Sequence, residues 1–427
     1  IHGSPERLWY ANASRLHHVS KGRLRHRDMP NKVNAMLLDS QGAFLLGIEN
    51  SGVWRYEQAD HLWIASPCRF GTEDGLPCNR ILAAFQKKDG AIYVGCEHPG
   101  HICRFDGERF EGIPTGRNLT DKIYEDAQGR LWLGGWAADG LTCWDGNSVT
   151  TYTEKDGLIN NAVRSIVSDR EGRIWVGTIQ GLCSFDGNTF THYGENYGIP
   201  NVTHECSAID QNGQLWFGTV GGGIIRYDGQ HFQMLTAEEG LPSNGIVGLL
   251  PQPDGPMLIG TFAGAVLYHQ TAVLPPHVEI REVVADQVYP YPKAVEMAST
   301  GTDLVTITFD AVTFTTRHVR FTYQLEGYDG IWHDTWHNQV RYQNLPPGSY
   351  TFRIAALNRD LIHAARPVAL SITVKPDPRA HLLEAYRAQI GRMETTIEQR
   401  QRADKLNRVL IELARETMRE GIDLNQS

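Results

Sequence analysis

Asp169-Arg170-Glu171-Gly172-Arg173-Ile174-Trp175-Val176-Gly177-Thr178 is followed shortly by Ser184-Phe185-Asp186-Gly187-Asn188-Thr189-Phe190. Asp-x-x-Gly reads as a tight turn. The Asp side chain accepts from backbone N–H groups ahead of it, and Gly supplies a positive φ. The apolar run Ile-Trp-Val reads as a strand, and Phe-Asp-Gly as a second hairpin turn. The unit recurs. Asp126-Ala127-Gln128-Gly129-Arg130-Leu131-Trp132-Leu133-Gly134 precedes it and Asp210-Gln211-Asn212-Gly213-Gln214-Leu215-Trp216-Phe217-Gly218-Thr219 follows it. Weaker copies start at Asp39, Asp89 and Asp254. A spacing of about 40 residues is the period of a four-stranded propeller blade.

A third element recurs with the same period. Asp74-Gly75-Leu76-Pro77-Cys78-Asn79 returns as Asp156-Gly157-Leu158-Ile159-Asn160-Asn161 and as Glu239-Gly240-Leu241-Pro242-Ser243-Asn244. It carries the chain from the outer strand of one blade to the inner strand of the next. Together these residues resemble the two-component regulator propeller repeat, which implies a seven-bladed β-propeller acting as a sensory input module. Leu8-Trp9-Tyr10 fits the second strand of a further, first blade, with Asp28-Met29-Pro30-Asn31 as its exit loop. That blade is expected to lack its inner strand. Because the chain begins at Ile1, further sequence upstream is expected.

The propeller is assigned to residues 1–273. Pro275-Pro276 marks a boundary, and alternating strands follow, among them Val305–Phe309 and Val319–Leu325. Residues 274–376 resemble the three-tyrosine domain, with Tyr323, Tyr328, Tyr342 and Tyr350 as matching aromatics. The resemblance implies an immunoglobulin-like β-sandwich whose tyrosines are core and corner residues with satisfied hydroxyls. Residues 377–427 turn helical. Leu383, Tyr386, Ile390, Met393 and Ile397 step by three and four, the seam of a parallel dimeric coiled coil. The seam breaks at Arg400 to Asp404 and resumes at Leu406, Leu410 and Leu413. The alternative is an amphipathic helix lying on the sandwich. The fold class is thus mainly β with a C-terminal coiled-coil helix that leads to an output domain beyond Ser427.

Composition narrows the function. The chain has 427 residues, a net charge of -9 and 41% hydrophobic residues. The acidic balance argues against a nucleic-acid partner. No apolar run approaches the ~18 residues of a membrane helix. Of the seven cysteines, Cys103 and Cys183 lie in different repeats, so no disulfide framework is expected. Cys103 and Cys183 share one repeat position, where other repeats place Trp54, Ile225 and Val266, and read as small buried hydrophobes. Free thiols and the lack of a membrane helix favour a cytoplasmic location, with the periplasm as the alternative.

There is no phosphate loop, His-Glu-x-x-His pair or kinase box, and no metal or cofactor is expected. The chemistry lies in the irregular loops opposite the Asp-Gly turns. They contribute Glu97, His98, Trp136, Asp139, Gln180 and Phe262. Five residues before the turn Asp stand Asn34, Asp121, Arg164 and Glu205, expected as a polar ring at the channel mouth. His98 and His204 are the histidines expected on that face. Three functions compete: a ligand-sensing module of a histidine kinase or hybrid, a propeller lyase, and a protein-binding scaffold. For the first, the resemblance implies an oligosaccharide or other small-molecule ligand, and the apolar seam implies a homodimer through the C-terminal helix.

Overall fold

A computed structural model describes all residues except 1, 5–6, 99–100, 254, 271–274, 299–303, 314–318, 359–365, 377–379 and 424–427. The chain divides into two compact units, the first built on Ile1–Val273 and the second on Leu274–Asn358 and His363–Ser427.

The Asp-x-x-Gly turn explains the first unit. In the fifth sheet, Asp169 Oδ1 accepts from the Arg173 N–H at 2.8 Å. Its Oδ2 accepts from Arg173 Nε at 2.7 Å and Trp175 Nε1 at 2.8 Å. Asp126 makes the same three bonds to Arg130 and Trp132. One carboxylate thus caps a turn, orients an arginine and satisfies a buried indole. Asp210 binds Trp216 Nε1 at 3.0 Å, but Gln214 stands where the arginine was. Arg226, from the neighbouring strand, covers the Trp216 ring at 4.3 Å and donates to Gln214.

Each turn joins the first two strands of an antiparallel meander. The fifth sheet runs Val163–Ser168, Ile174–Thr178, Gly181–Phe185, Phe190–Tyr193. Among the described residues the first unit holds six such four-stranded sheets and a last one of three strands, Ile246–Pro251, Met257–Thr261 and Gly264–Tyr268. The first strand of each sheet packs on the first strand of the next, from the first sheet to the seventh. The glycine of Leu-Trp-x-Gly permits this approach. A Cβ on Gly177 would lie 2.7 Å from His204 Cβ, one on Gly134 2.6 Å from Val163 Cγ1, and one on Gly218 2.6 Å from Ile246 Cγ2. Trp175, wholly buried, fills the space between sheets five and six against Tyr193, Phe217 and Tyr227.

The loops between sheets repeat for an equally local reason. Thr153 and Asp156 cap a single 3-10 turn reciprocally, and Gly157 ends it at φ 99°. Asn161 Oδ1 then accepts from the Glu154 N–H at 2.9 Å. Thr236, Glu239, Gly240 and Asn244 repeat the arrangement.

Three expectations are corrected. The weaker turns do not start at Asp89 and Asp254. Lys87 and Gln252 occupy the Asp position, each closing its turn through its carbonyl to Gly90 or Gly255; Asp254 lies outside the described residues. Asp-Gly adjacency misled the alignment, because the Asp-x-x-Gly spacing is what the turn requires. The first sheet does have an inner strand: His2–Ser4 pairs with Arg7–Asn12. Its three residues are too few to show periodicity.

The second unit holds two sheets that share one core. One orders Val288–Pro290, His277–Val284, Leu304–Val312, Gln339–Gln343; the other orders Ala294–Ala298, Val368–Lys375, Gly348–Leu357, Arg320–Glu326, His333–Thr335. Ile280, Ile307 and Phe309 of the first meet Leu325, Phe352, Ile354 and Ile372 of the second. Tyr350 is buried and donates to the Pro346 carbonyl at 2.7 Å. The tyrosine expectation fails in part: Tyr328 is 52% exposed, and the buried Tyr342 hydroxyl has no partner among the described residues. A single helix, Ala380–Asp423, ends the chain.

Candidate functional site

Three of the four polar-ring residues sit at β-bulges, and Asp121 directly precedes the first strand of its sheet. In the fifth sheet the pairing register jumps between Val163 and Ser165, which leaves Arg164 as the extra residue. The same jump brackets Glu205 in the sixth sheet and Asn34 in the second. A bulge takes one residue out of the ladder and re-aims its side chain. Leu82 and Val247 hold the bulge in the third and seventh sheets, so the ring is polar over only part of the series.

Asn34, Asp121, Arg164 and Glu205 line one cavity of about 320 Å3, walled by the first strands of sheets two to six. Arg164 is its centre. Nε and Nη2 donate to the two carboxylate oxygens of Glu205 at 3.0 and 2.7 Å, and Nη1 donates to Asp121 Oδ2 at 3.1 Å. Lys122 Nζ stands 3.6 Å from Glu205. The two cations and two carboxylates balance one another.

Burial raises the Asp121 carboxyl above its ordinary value, against the opposing pull of Lys122 and Arg164. Burial also acts against the Arg164 charge, but Glu205 and Asp121 together outweigh it and raise the guanidinium. Asp121 Oδ1 and Asn34 Nδ2 are buried and have no hydrogen-bond partner among the described residues. The cavity wall is polar with its charges paired, which suits a ligand that both donates and accepts hydrogen bonds, such as a hydroxyl group.

Lys122 and Ser207 complete the wall and were missed. Lys122 follows Asp121 directly, so its signal was present, but counting back from the turn selects a single residue per repeat.

The remaining candidates do not line this cavity. Glu97 is buried in an ion pair with Arg80, and His98 beside it is exposed at φ 36°. Asp139 pins a loop, accepting from the Asn118 N–H at 2.8 Å and its amide at 2.6 Å. Arg117, also missed, is buried beside it and donates to the carbonyls of Leu119 and Gly140; burial lowers it to about 10. Gln180 accepts from Asn160 and lines a separate cavity with His192 and Tyr197. Trp136 and Phe262 are 50% and 67% exposed. His204 is fully buried, contrary to expectation, and burial lowers it to about 4. Among the described residues no group of three His, Cys, Asp or Glu side chains could hold a metal ion.

On the helix, Ile390, Met393 and Ile397 are each more than half exposed. The side chains of Leu383 and Tyr386 lie outside the described residues. No described helix is long and apolar enough to cross a membrane.

Comparison with known proteins fits this architecture. The two component regulator propeller family matches residues 157–180, from the inter-sheet loop through the second strand of sheet five. The Y_Y_Y domain family matches residues 312–375, which include most of the five-stranded sheet. No curated protein sequence matches the chain. Among solved structures, a chain described as the extracellular domain of the hybrid two component system BT3049 from B. thetaiotaomicron is similar in fold. It is 18% identical at a TM-score of 0.56, over 88% of this chain and 55% of that one. This chain therefore spans little more than half of that relative's length. Virginiamycin B lyase from Staphylococcus aureus is 12% identical at a TM-score of 0.50, over 62% of this chain and 92% of that one. The chain carries two-component regulator propeller sequence followed by a Y_Y_Y domain.

Proposed function

We propose that this chain is the ligand-sensing input module of a bacterial two-component protein, a histidine kinase or hybrid. Its seven sheets act as the blades of a propeller, and its second unit acts as an immunoglobulin-like relay to a dimeric coiled coil. The observation that carries the reading is the convergence of Asn34, Asp121, Arg164 and Glu205 on one cavity. Their charges are mutually neutralised, which favours a neutral polyhydroxyl ligand, an oligosaccharide, over an anion. The domain order, propeller sequence then Y_Y_Y domain, supports the same reading.

The test is a thermal-shift screen of neutral and charged oligosaccharides on the purified chain, followed by calorimetry. A ligand at 100 times its dissociation constant adds about 2.7 kcal/mol. Asp121→Asn and Asn34→Ala are expected to abolish that shift while the unliganded proteins still melt cooperatively. A ligand whose affinity is unchanged in both variants refutes the site.

A second reading, an enzyme, has the lyase-like fold in its favour. Turnover of a hit from the same screen, lost in Asp121→Asn, would favour it.

A further inference from the structure

A second cluster lies in the third sheet, apart from the ring. Cys96 and Cys103 sit on its adjacent middle strands, Ile92–Cys96 and Ile102–Phe105, both fully buried, with their sulfurs 3.7 Å apart. Cys78, partly exposed on the inter-sheet loop, packs against the apolar cluster that holds both Cys96 and Cys103. The remaining cysteines include Cys68, which is exposed, and Cys143 and Cys183, which stand in other sheets. Three thiols in one cluster, one of them partly exposed, differ from a single buried cysteine packing as a hydrophobe.

Cys78 also touches the strand end that bears two of the candidate residues. Its S–H donates to the Glu97 carbonyl at 2.7 Å and lies 3.4 Å from that of Arg80. Arg80 pairs with the Glu97 carboxylate, and the Glu97 N–H donates to the Arg80 carbonyl at 3.2 Å. Loss of the Cys78 proton therefore removes one of the contacts that fix Glu97 and His98.

We propose that Cys78, Cys96 and Cys103 form an oxidation site at which a peroxide converts Cys78 and Cys96 into a disulfide. The Cys78 sulfur attacks one peroxide oxygen, the O–O bond breaks, and the other oxygen leaves as water, giving Cys78 sulfenic acid. The Cys96 sulfur then attacks the Cys78 sulfur, the S–O bond breaks, and a second water leaves with the Cys96 proton. Two thiols and one peroxide become one disulfide and two waters. Cys103, against Cys96, is placed to exchange into a Cys96–Cys103 bond and regenerate the Cys78 thiol. The bond staples the inter-sheet loop to the end of the second strand.

The experiment treats the reduced full chain with hydrogen peroxide and maps peptides without reduction. A Cys78–Cys96 or Cys96–Cys103 link, about 2 Da lighter than the separate peptides, is expected while Cys68 forms no intramolecular link. Cys78→Ser is expected to abolish both links, and Cys96→Ser to leave Cys78 singly oxidised. Hydrogen exchange is expected to change at residues 78–80 and 96–98 on oxidation of the parent chain. Absence of any link among the three in the folded parent chain overturns the proposal. So does a Cys96–Cys103 link that forms equally well in Cys78→Ser.

Discussion

Removing the indole of Trp175 tests the account of the repeat most directly. The ring is wholly buried, lies 4.8 Å from Tyr193 and 4.9 Å from Tyr227, and packs on Phe217 and Phe232 of the next sheet. Trp175→Ala is expected to cost about 3–5 kcal/mol, the range for a large core aromatic. Trp175→Phe keeps much of the packing but leaves Asp169 Oδ2 with one donor fewer, a loss of about 1–3 kcal/mol. Asp169→Asn places an amide between Trp175 Nε1 and Arg173 Nε, two donors that need an acceptor. Its cost falls in the same range. Because both changes act through one hydrogen bond, the double variant is expected to cost less than the sum of the singles, by about 1 kcal/mol. Urea unfolding followed by circular dichroism gives all four values, with Trp136→Ala as a control on an indole that is 50% exposed. Trp175→Ala within about 0.5 kcal/mol of the parent, the spread of ordinary surface changes, would refute the assignment of Trp175 to the inter-sheet core.

Gly177→Ala is expected to destabilise by about 1–3 kcal/mol, since the added methyl meets His204; an unchanged melting temperature would show that the next strand can move away. Arg164→Gln leaves Asp121 and Glu205 close together without their shared cation, and is expected to lower the melting temperature at pH 7. Asp121 is raised in the folded state, so that loss shrinks as acid protonates it, and a deficit constant down to pH 3 would contradict the pairing. The Asp126 carboxyl is lowered by Trp132 and Arg130, although burial opposes them. Its contribution is complete above the unfolded carboxylate value near pH ~4 and is lost as pH falls through the folded value. Asp126→Asn is therefore expected to flatten the acid limb of the stability profile. Ile390→Glu with Ile397→Glu is expected to convert a dimer into a monomer in sedimentation while the circular dichroism of the β units persists; identical sedimentation of parent and variant would remove the seam.

The sequence by itself determined what is local and repeated. The Asp-x-x-Gly turn, the Trp strand and the Gly-capped loop are each set by residues within a few positions of one another. Their recurrence therefore announced the sheets, and the spacing announced their succession. Counting back from the turn even selected Asn34, Asp121, Arg164 and Glu205, because each of these copies has the same length between that residue and the turn. It failed at Lys87 and Gln252, where the turn is kept by backbone bonds while the Asp that signals it is missing. Tertiary structure alone decided the rest. That Arg164 grips Glu205 and Asp121 depends on bulges in two sheets and on where the first strand of a third begins, and pairing register is not written in the residue that slips. The burial of His204 depends on Gly177 of the preceding sheet, and the clustering of Cys78, Cys96 and Cys103 depends on a loop returning across a strand end. Contacts between side chains distant in the sequence arise only when the strands that carry them pack together.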